Sequence, residues 1–347
     1  MGRCRSLLVL VLALFTVAWP TQGASAGRWP PIAGLTSMGS LSFVRQGGSP
    51  ANSLDEVNTH PEIYRAVAIN ATWNDLEPTT GGPLDTATID AALQRVDTYN
   101  AQYPRTPLVA ELRVFAGAKA PDWAKSLNGG PLPMDRGQTI GFWWKTDYRA
   151  AWRNLQNRLA ARYRNDPRIH EVAVTSCAMM SEPLIEPFGG DYFRAFAAAG
   201  YTDAAGLACV EGASDDFSGW TRQALNFSFS PMRCIDQGRP VQCYQNVARV
   251  IREFRGRYGS AAIIGNHGLR AELIPVLQPV YQLIDAAGPP AEFQFASQPD
   301  CTDAAFNEGL HHHMTNFEVW DTQEAAGTRC DFTWVQLREM SRRLGGY

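Results

Sequence analysis

The chain predicts an α/β fold, a (β/α)8 TIM barrel in a single domain with long loops at the C-terminal face. Three observations carry this expectation. Short apolar runs alternate with amphipathic stretches along the sequence, the pattern of repeated βα units. Eight such runs can be traced, and eight is the number that closes a parallel barrel. No G-x-G-x-x-G or P-loop motif follows the first run, so nothing favours an open doubly wound sheet.

Taken in order, residues 32–44 contain the first strand, and 65–73 form the second. Residues 85–100 predict a helix with Asp85 as its cap, because Ile89, Leu93, Val96 and Tyr99 recur at helical spacing. Residues 107–115 are the third strand. The clearest helix spans 146–165, with Tyr148, Trp152, Leu155, Leu159 and Tyr163 on one face and arginines on the other. Residues 172–177 read as the fourth strand, apolar without alternation, as a strand buried on both faces should be. A helix is expected near 203–217, a fifth strand at 223–230 and a helix at 242–258. The sixth strand is placed at 261–266, followed by a helix over 269–287 kinked by Pro275 or Pro279. The seventh strand is 292–297, a short helix 302–313, the eighth strand 315–320 and a closing helix 333–344.

Residues 1–26 read as a cleaved secretory signal. Arg3 and Arg5 precede an apolar core at 7–19, and Ala24-Ser25-Ala26 offers a small-residue cleavage site. Residues 27–347 are then the barrel domain, exported and without a later membrane-spanning stretch. Loss of two arginines and no acid moves the net charge from −3 to −5, which gives no global attraction to nucleic acid or anionic membrane. A monomer is expected. Cys177, Cys209, Cys234, Cys243, Cys301 and Cys330 remain after Cys4 is removed, an even count that fits three disulfides in an oxidising compartment. Six cysteines allow 15 pairings. Cys234–Cys243 is the most local candidate, Cys301–Cys330 would join two late loops, and Cys177–Cys209 would remain. No CxxC, HExxH or G-x-S-x-G spacing occurs, so neither a metal centre nor a serine hydrolase is indicated, and no cofactor is expected.

Paired carboxylates at a barrel mouth are suited to general acid/base work. Glu182 follows the fourth strand, where a barrel keeps its chemistry. On the eighth strand Glu318 and Trp320 share a face. If that face is the interior, Glu318 is the second candidate; the structural alternative is an ion pair with an arginine inside the barrel. Glu77 reads as a structural salt bridge below the pocket. Asn266 and His267, at the end of the sixth strand, could hydrogen-bond sugar hydroxyls. Trp73, Trp123, Trp143, Trp144 and Trp320 all fall near strand C-termini, where flat rings suit the C–H face of a sugar. His311-His312-His313 point in different directions on a helix and read as a polar helix end.

Three stretches resemble the clan of retaining glycoside hydrolases built on (β/α)8 barrels. Trp73-Asn74-Asp75-Leu76-Glu77-Pro78, followed by Gly81-Gly82, is similar to that clan's W-x-x-L-E-P-x-x-G after strand two. Ala120-Pro121-Asp122-Trp123 is similar to its A-P-x-W after strand three. Glu182 stands where the clan has its acid/base, with Ser181 in place of the usual sugar-binding Asn. The resemblance implies a glycoside hydrolase with Glu182 as acid/base, but it supplies no nucleophile. Strand seven reads Phe293-Gln294-Phe295-Ala296-Ser297, with no acid at its mouth and Glu292 at its entry. The missing acid keeps a second reading open, a barrel that kept a carbohydrate cleft and lost catalysis.

Overall fold

In a computed structural model, the described residues are 27–42, 54–134, 137–177, 192–236, 239–319, 330 and 332–345. Eight parallel strands close into a barrel: β1 (Gly34–Ser42), β2 (Tyr64–Thr72), β3 (Val109–Phe115), β4 (Ile169–Ala173), β5 (Ala224–Ser228), β6 (Ala262–Leu269), β7 (Ala291–Phe295) and β8 (Met314–Val319). Each strand pairs with its neighbours in sequence, and β1 closes on β8 with Thr36 opposite Glu318. Among the described residues, the helices of nine residues or more are α1 (Ala87–Gln102), α2 (Thr146–Tyr163), α3 (Asp203–Glu211), α4 (Tyr244–Tyr258), α5 (Gln278–Ala287), α6 (Asp303–His311) and α7 (Trp334–Arg343). No described helix is long and apolar enough to cross a membrane.

Strands β4 and β6 and the helix between β6 and β7 differ from the sequence expectation. Strand β4 starts at Ile169 rather than Val172, because Glu171 turns into the barrel and continues the strand upstream of the apolar run. Helix α5 begins at Gln278 rather than 269: the chain stays in strand β6 as far as Leu269, and Pro279 sits in the first turn of the helix, where a missing N–H costs nothing. Asp85 lies one residue outside the cap position, which Thr86 takes; its Oδ1 instead accepts from Ala87 N at 3.1 Å.

The large apolar core lies between the strands and the helices. Val67, Ile69, Leu112, Val114, Leu225, Phe227, Phe293 and Phe317 face outward onto α-helical residues such as Leu93, Leu155, Val250 and Ile284. The barrel lumen is different. Its apolar part is a small floor of Ala224, Ala261 and Ile263. Above that floor polar and charged residues share the inward positions with small ones such as Ala68 and Ala173. The N-terminal segment seals the floor from below: Ile32 is buried, Arg222 lies 4.0 Å over the ring of Trp29, and Arg28 Nη1 donates to Gln223 O at 2.6 Å.

The loops above the strands are held by three disulfides, Cys177–Cys209, Cys234–Cys243 and Cys301–Cys330. Those spanning 32 and 29 residues each contribute about 3–4 kcal/mol in the chain-entropy account. The exit of β2 is fixed by an ion pair. Glu77, buried, accepts from Arg158 Nη1 at 2.5 Å and from Trp73 Nε1 at 3.1 Å, while Arg158 Nη2 donates to Gly82 O at 2.6 Å. Trp123 Nε1 donates to the Glu77 carbonyl at 3.0 Å. Removing one partner of a buried pair strands the other charge. Arg158→Ala is therefore expected to lower the unfolding free energy by about 3 kcal/mol. Chemical denaturation of the variant checks this; a loss within error would mean that Glu77 finds other partners.

Candidate active site

Inward positions of β3 to β8 bring together charged residues from strands far apart in sequence. Glu111 and Arg113 come from β3, Glu171 from β4, Asn226 from β5, His267 from β6, Glu292 from β7, and Asn316 and Glu318 from β8. Strand alternation places each pair two residues apart on the same face. All four glutamates are 0% exposed. Gly265 lets β6 run close to β7: a Cβ there would stand 2.1 Å from Glu292 O, so a side chain would push away the strand that carries His267.

The contacts form a continuous network. Arg113 Nη2 pairs with Glu318 Oε1 and lies 3.4 Å from Glu111 Oε1. His267 Nε2 is 3.4 Å from Glu292 Oε1 and 3.6 Å from Glu318 Oε2. Asn226 Nδ2 donates to Glu292 Oε1 at 2.5 Å and to Glu111 Oε1 at 3.1 Å. Asn316 Nδ2 donates to Glu292 Oε2 at 2.6 Å, and Asn316 Oδ1 accepts from Thr36 Oγ1 at 2.8 Å. Glu171 Oε1 accepts from Ile32 N of the floor segment.

Too few cations face these acids, and the carboxyl groups respond. Burial, then the negative charges of Glu292 and Glu318 against the pull of Arg113, holds Glu111 well above the usual carboxylate range. Burial, then Glu292 and Glu111, does the same for Glu171. Glu292 is raised by burial and by Glu318, and His267 and Arg113 oppose the shift. Above this network a cavity of about 10 Å³ is lined by Arg113, Thr175, Asn226, Ser228 and His267, among others, enough for one water.

The segment leading from β4 toward Glu182 is anchored residue by residue. Val174 N donates to Asn226 O at 2.7 Å and Thr175 Oγ1 to Val114 O at 2.5 Å. Trp152 Nε1 donates to Ser176 Oγ at 2.7 Å, Ser176 Oγ to Asp216 Oδ2 at 3.0 Å, and Arg153 Nε to Asp216 Oδ1 at 2.9 Å. Cys177 then bonds to Cys209. Glu182 and Ser181 lie outside the described residues, as does Trp320.

The structure places the other candidates as follows. Glu318 points into the lumen and is buried against Arg113, the ion pair that the sequence reading held as its alternative. His267 points inward beside it. Asn266 faces the other way and is taken up by protein: its Nδ2 donates to Phe229 O at 2.7 Å, and its Oδ1 accepts from Gly268 N at 2.7 Å and Tyr281 OH at 3.1 Å. Its carbonyl oxygen and one amide hydrogen are thus taken up by the protein. Trp73 sits edge-on to Trp123, Tyr148 and Trp152, and Trp143 and Trp144 pack with Phe196 and Tyr201. Trp73, Trp143 and Trp144 are covered on all sides; Trp123 is half-buried. Three of these rings therefore pack the wall beside β2 to β4 instead of presenting a face to a ligand. The lumen residues Glu111, Arg113, Glu171, Asn226 and Asn316 were not singled out from the sequence. Their signal was alternation of charged and apolar residues, as in Glu111-Leu112-Arg113-Val114.

No protein-family model matches this chain, and no curated protein matches it. Solved structures do resemble it. Endo-glycoceramidase II from Rhodococcus sp., in a cellobiose-like imidazole complex, aligns at TM-score 0.53 and 13% identity over 91% of this chain and 80% of its own. A glycosylated endo-beta-1,4-xylanase of glycoside hydrolase family 10 from Gloeophyllum trabeum aligns at 0.53 and 12% over 90% and 96%. The catalytic domain of a beta-amylase from Paenibacillus polymyxa aligns at 0.52 and 9% over 82% and 91%. At these identities the likeness establishes the (β/α)8 fold shared with those glycoside hydrolases.

The raised carboxyls give a pH dependence with a definite sign. An acid whose folded pKa lies above its unfolded value binds more protons in the folded state, so its contribution is complete below the unfolded pKa and is lost as pH rises through the folded one. Glu111, Glu171 and Glu292 therefore predict that stability is greatest at or below the ordinary glutamate value of about 4.3 and falls as pH rises above it. Exposed acids such as Glu62 and Asp90, whose pKa values are lowered by Arg338 and by Tyr163 with Arg162 respectively, act in the opposite sense and only at lower pH. Urea melts across this range check the slope; a flat or rising profile would contradict it.

Proposed function

We propose that the chain is a secreted glycoside hydrolase that cleaves O-glycosidic bonds of a poly- or oligosaccharide by a two-carboxylate mechanism. The observation that carries this reading is the Arg113–Glu318–His267–Glu292 network beneath the strand C-termini. A barrel needs no such network for stability, since apolar layers fill this space more cheaply. Perturbed acids gathered under the face where barrels do chemistry point to function. The shared fold with glycoside-cleaving enzymes and the W-x-x-L-E-P stretch support the same class.

In this proposal Glu182 is the general acid/base and Glu318 the nucleophile or base. Arg113 gives Glu318 a counter-charge and fixes its orientation. His267, in reach of both Glu292 and Glu318, links the two acids. A protonated Glu182 would donate to the leaving oxygen while the second carboxylate meets the sugar or activates water. Half-buried Trp123 and the undescribed Trp320 are the aromatic candidates for the cleft. The three disulfides and the N-terminal apolar segment support export.

One observation favours a second reading, a carbohydrate-binding barrel without catalysis: Glu318 is wholly buried and ion-paired. Activity decides. Wild-type protein is assayed for new reducing ends on a panel of soluble polysaccharides, beside Glu182→Gln. The expected result is hydrolysis by the wild type and a drop in kcat of about 10²–10⁴ in the variant with its melting unchanged. Full activity in Glu182→Gln would remove that residue from the mechanism. Saccharide binding by calorimetry with no hydrolysis by the wild type would establish the second reading.

A further inference from the structure

Glu318 and Glu292 are shut from solvent, and Glu318 Oε1 is paired with Arg113. To attack a sugar carbon, Glu318 would have to leave that pair and rise through the residues above it. His267 is placed differently. Its ring lines the cavity at the C-terminal ends of β4 and β5, together with Arg113, Thr175, Asn226 and Ser228. Its Nε2 turns back toward the acids, 3.4 Å from Glu292 Oε1 and 3.6 Å from Glu318 Oε2. The ring therefore stands between the buried carboxyls and the mouth.

Two carboxyls at one ring nitrogen select a tautomer. The neutral imidazole keeps its hydrogen on Nε2, facing them, and carries its lone pair on Nδ1. An acid too deep to meet a substrate can act through such a ring, by orienting it and by stabilising the imidazolium that forms. The cavity has room for one water. Inverting glycoside hydrolysis needs a water between its base and the sugar. Strand β7 ends at Phe295 and continues as Ala296-Ser297-Gln298, so it offers no carboxyl there for a covalent intermediate.

We propose that His267 is the catalytic base of this hydrolysis, taking a proton from a water held in the cavity, with Glu318 and Glu292 as positioning residues behind its Nε2. The inference rests on the glycosidase reading above and makes its stereochemistry definite. The water oxygen bonds to the anomeric carbon from the face opposite the leaving group, and the glycosidic C–O bond breaks. The leaving oxygen takes the proton of the general acid, Glu182 in that reading, and one proton of the water passes to the imidazole. Configuration at the sugar carbon is inverted, and no sugar becomes bonded to the protein. The charges around the ring set its titration. Glu292 of β7 and Glu318 of β8 favour the imidazolium, with Glu111 adding to them from behind Asn226; Arg113 of β3 opposes it, and Asn226 of β5 is neutral. The base works only when neutral. The rising limb of kcat/KM against pH therefore stands at or above the ordinary histidine value of about 6.5.

The test uses the full chain with its disulfides intact, on the saccharide that the wild type hydrolyses. Proton NMR reads the anomer of the first product before it equilibrates, and kcat/KM is measured against pH. The expected results are an inverted anomer and a rising limb at or above about pH 6.5. His267→Gln, which still offers a donor to the carboxyls, is expected to lower kcat about 10²–10⁴-fold with KM little changed and the chain still folded by thermal melting. Added imidazole is expected to restore part of the rate in His267→Ala. A product of retained configuration would overturn the proposal while leaving the glycosidase reading intact, and so would an undiminished kcat in folded His267→Gln. A wild type that hydrolyses nothing on the panel would overturn both. Should the variants fail to fold, the anomer and the pH limb of the wild type still decide.

Discussion

Closing a parallel sheet on itself around polar side chains is the constraint from which the rest of this molecule follows. A barrel of eight strands has room inside for side chains and little else. Here that room goes to four glutamates, an arginine, a histidine and two asparagines. Hydrophobic burial must therefore come almost wholly from the annulus between strands and helices, where the large apolar cluster lies. The lumen instead specifies geometry. Glu111, Glu292 and Glu318 each accept from a residue of another strand, and Glu171 from the floor segment, so the network reports on the closure of the whole barrel.

Helix contacts on the outside answer the same need. Arg255 of α4 donates to Gly259 O, Ala262 O, Gly288 O and Pro290 O at 2.7–3.2 Å, joining the entries of β6 and β7 without a carboxylate partner. Glu77 and Arg158 do the corresponding work at the exit of β2. Positions at the two ends of the strands are thereby fixed from outside, and the inward side chains of β6 and β7, His267 and Glu292, meet as a consequence.

Much of the fold was legible because its outward faces obey simple periodicity. The stripe Tyr148, Trp152, Leu155, Leu159, Tyr163 is buried as a stripe, and Val247, Val250, Ile251 and Phe254 line the inner face of α4. Alternation on strand eight left open which face is the interior, and the structure turns Glu318 inward against Arg113. The site was less legible. An unbroken apolar run marks a strand buried on both sides, but a polar lumen makes strands alternate, so the pattern misplaces β4 and passes over Glu111, Arg113 and Glu171. Ion pairs between strands distant in sequence leave no local signal at all. Proximity to a strand end in sequence likewise does not say whether a tryptophan ring faces the cleft or the neighbouring helix. Asn266 and His267 show how sharp this division is, since adjacent residues on β6 belong to different compartments.

The three cross-links also divide the molecule. Each ties down chain that follows a strand's C-terminal end: Cys177 after β4, the Cys234–Cys243 pair after β5, Cys301 after β7 and Cys330 after β8. None touches the sealed underside, where Ile32 and Trp29 hold by packing and hydrogen bonds alone. Reducing conditions would therefore act unevenly. The upper rim would gain freedom and become open to proteases while the strand ring kept its hydrogen bonds, a local loosening rather than collapse. The redox state of the surroundings would thus govern how well the rim is formed, separately from whether the barrel is.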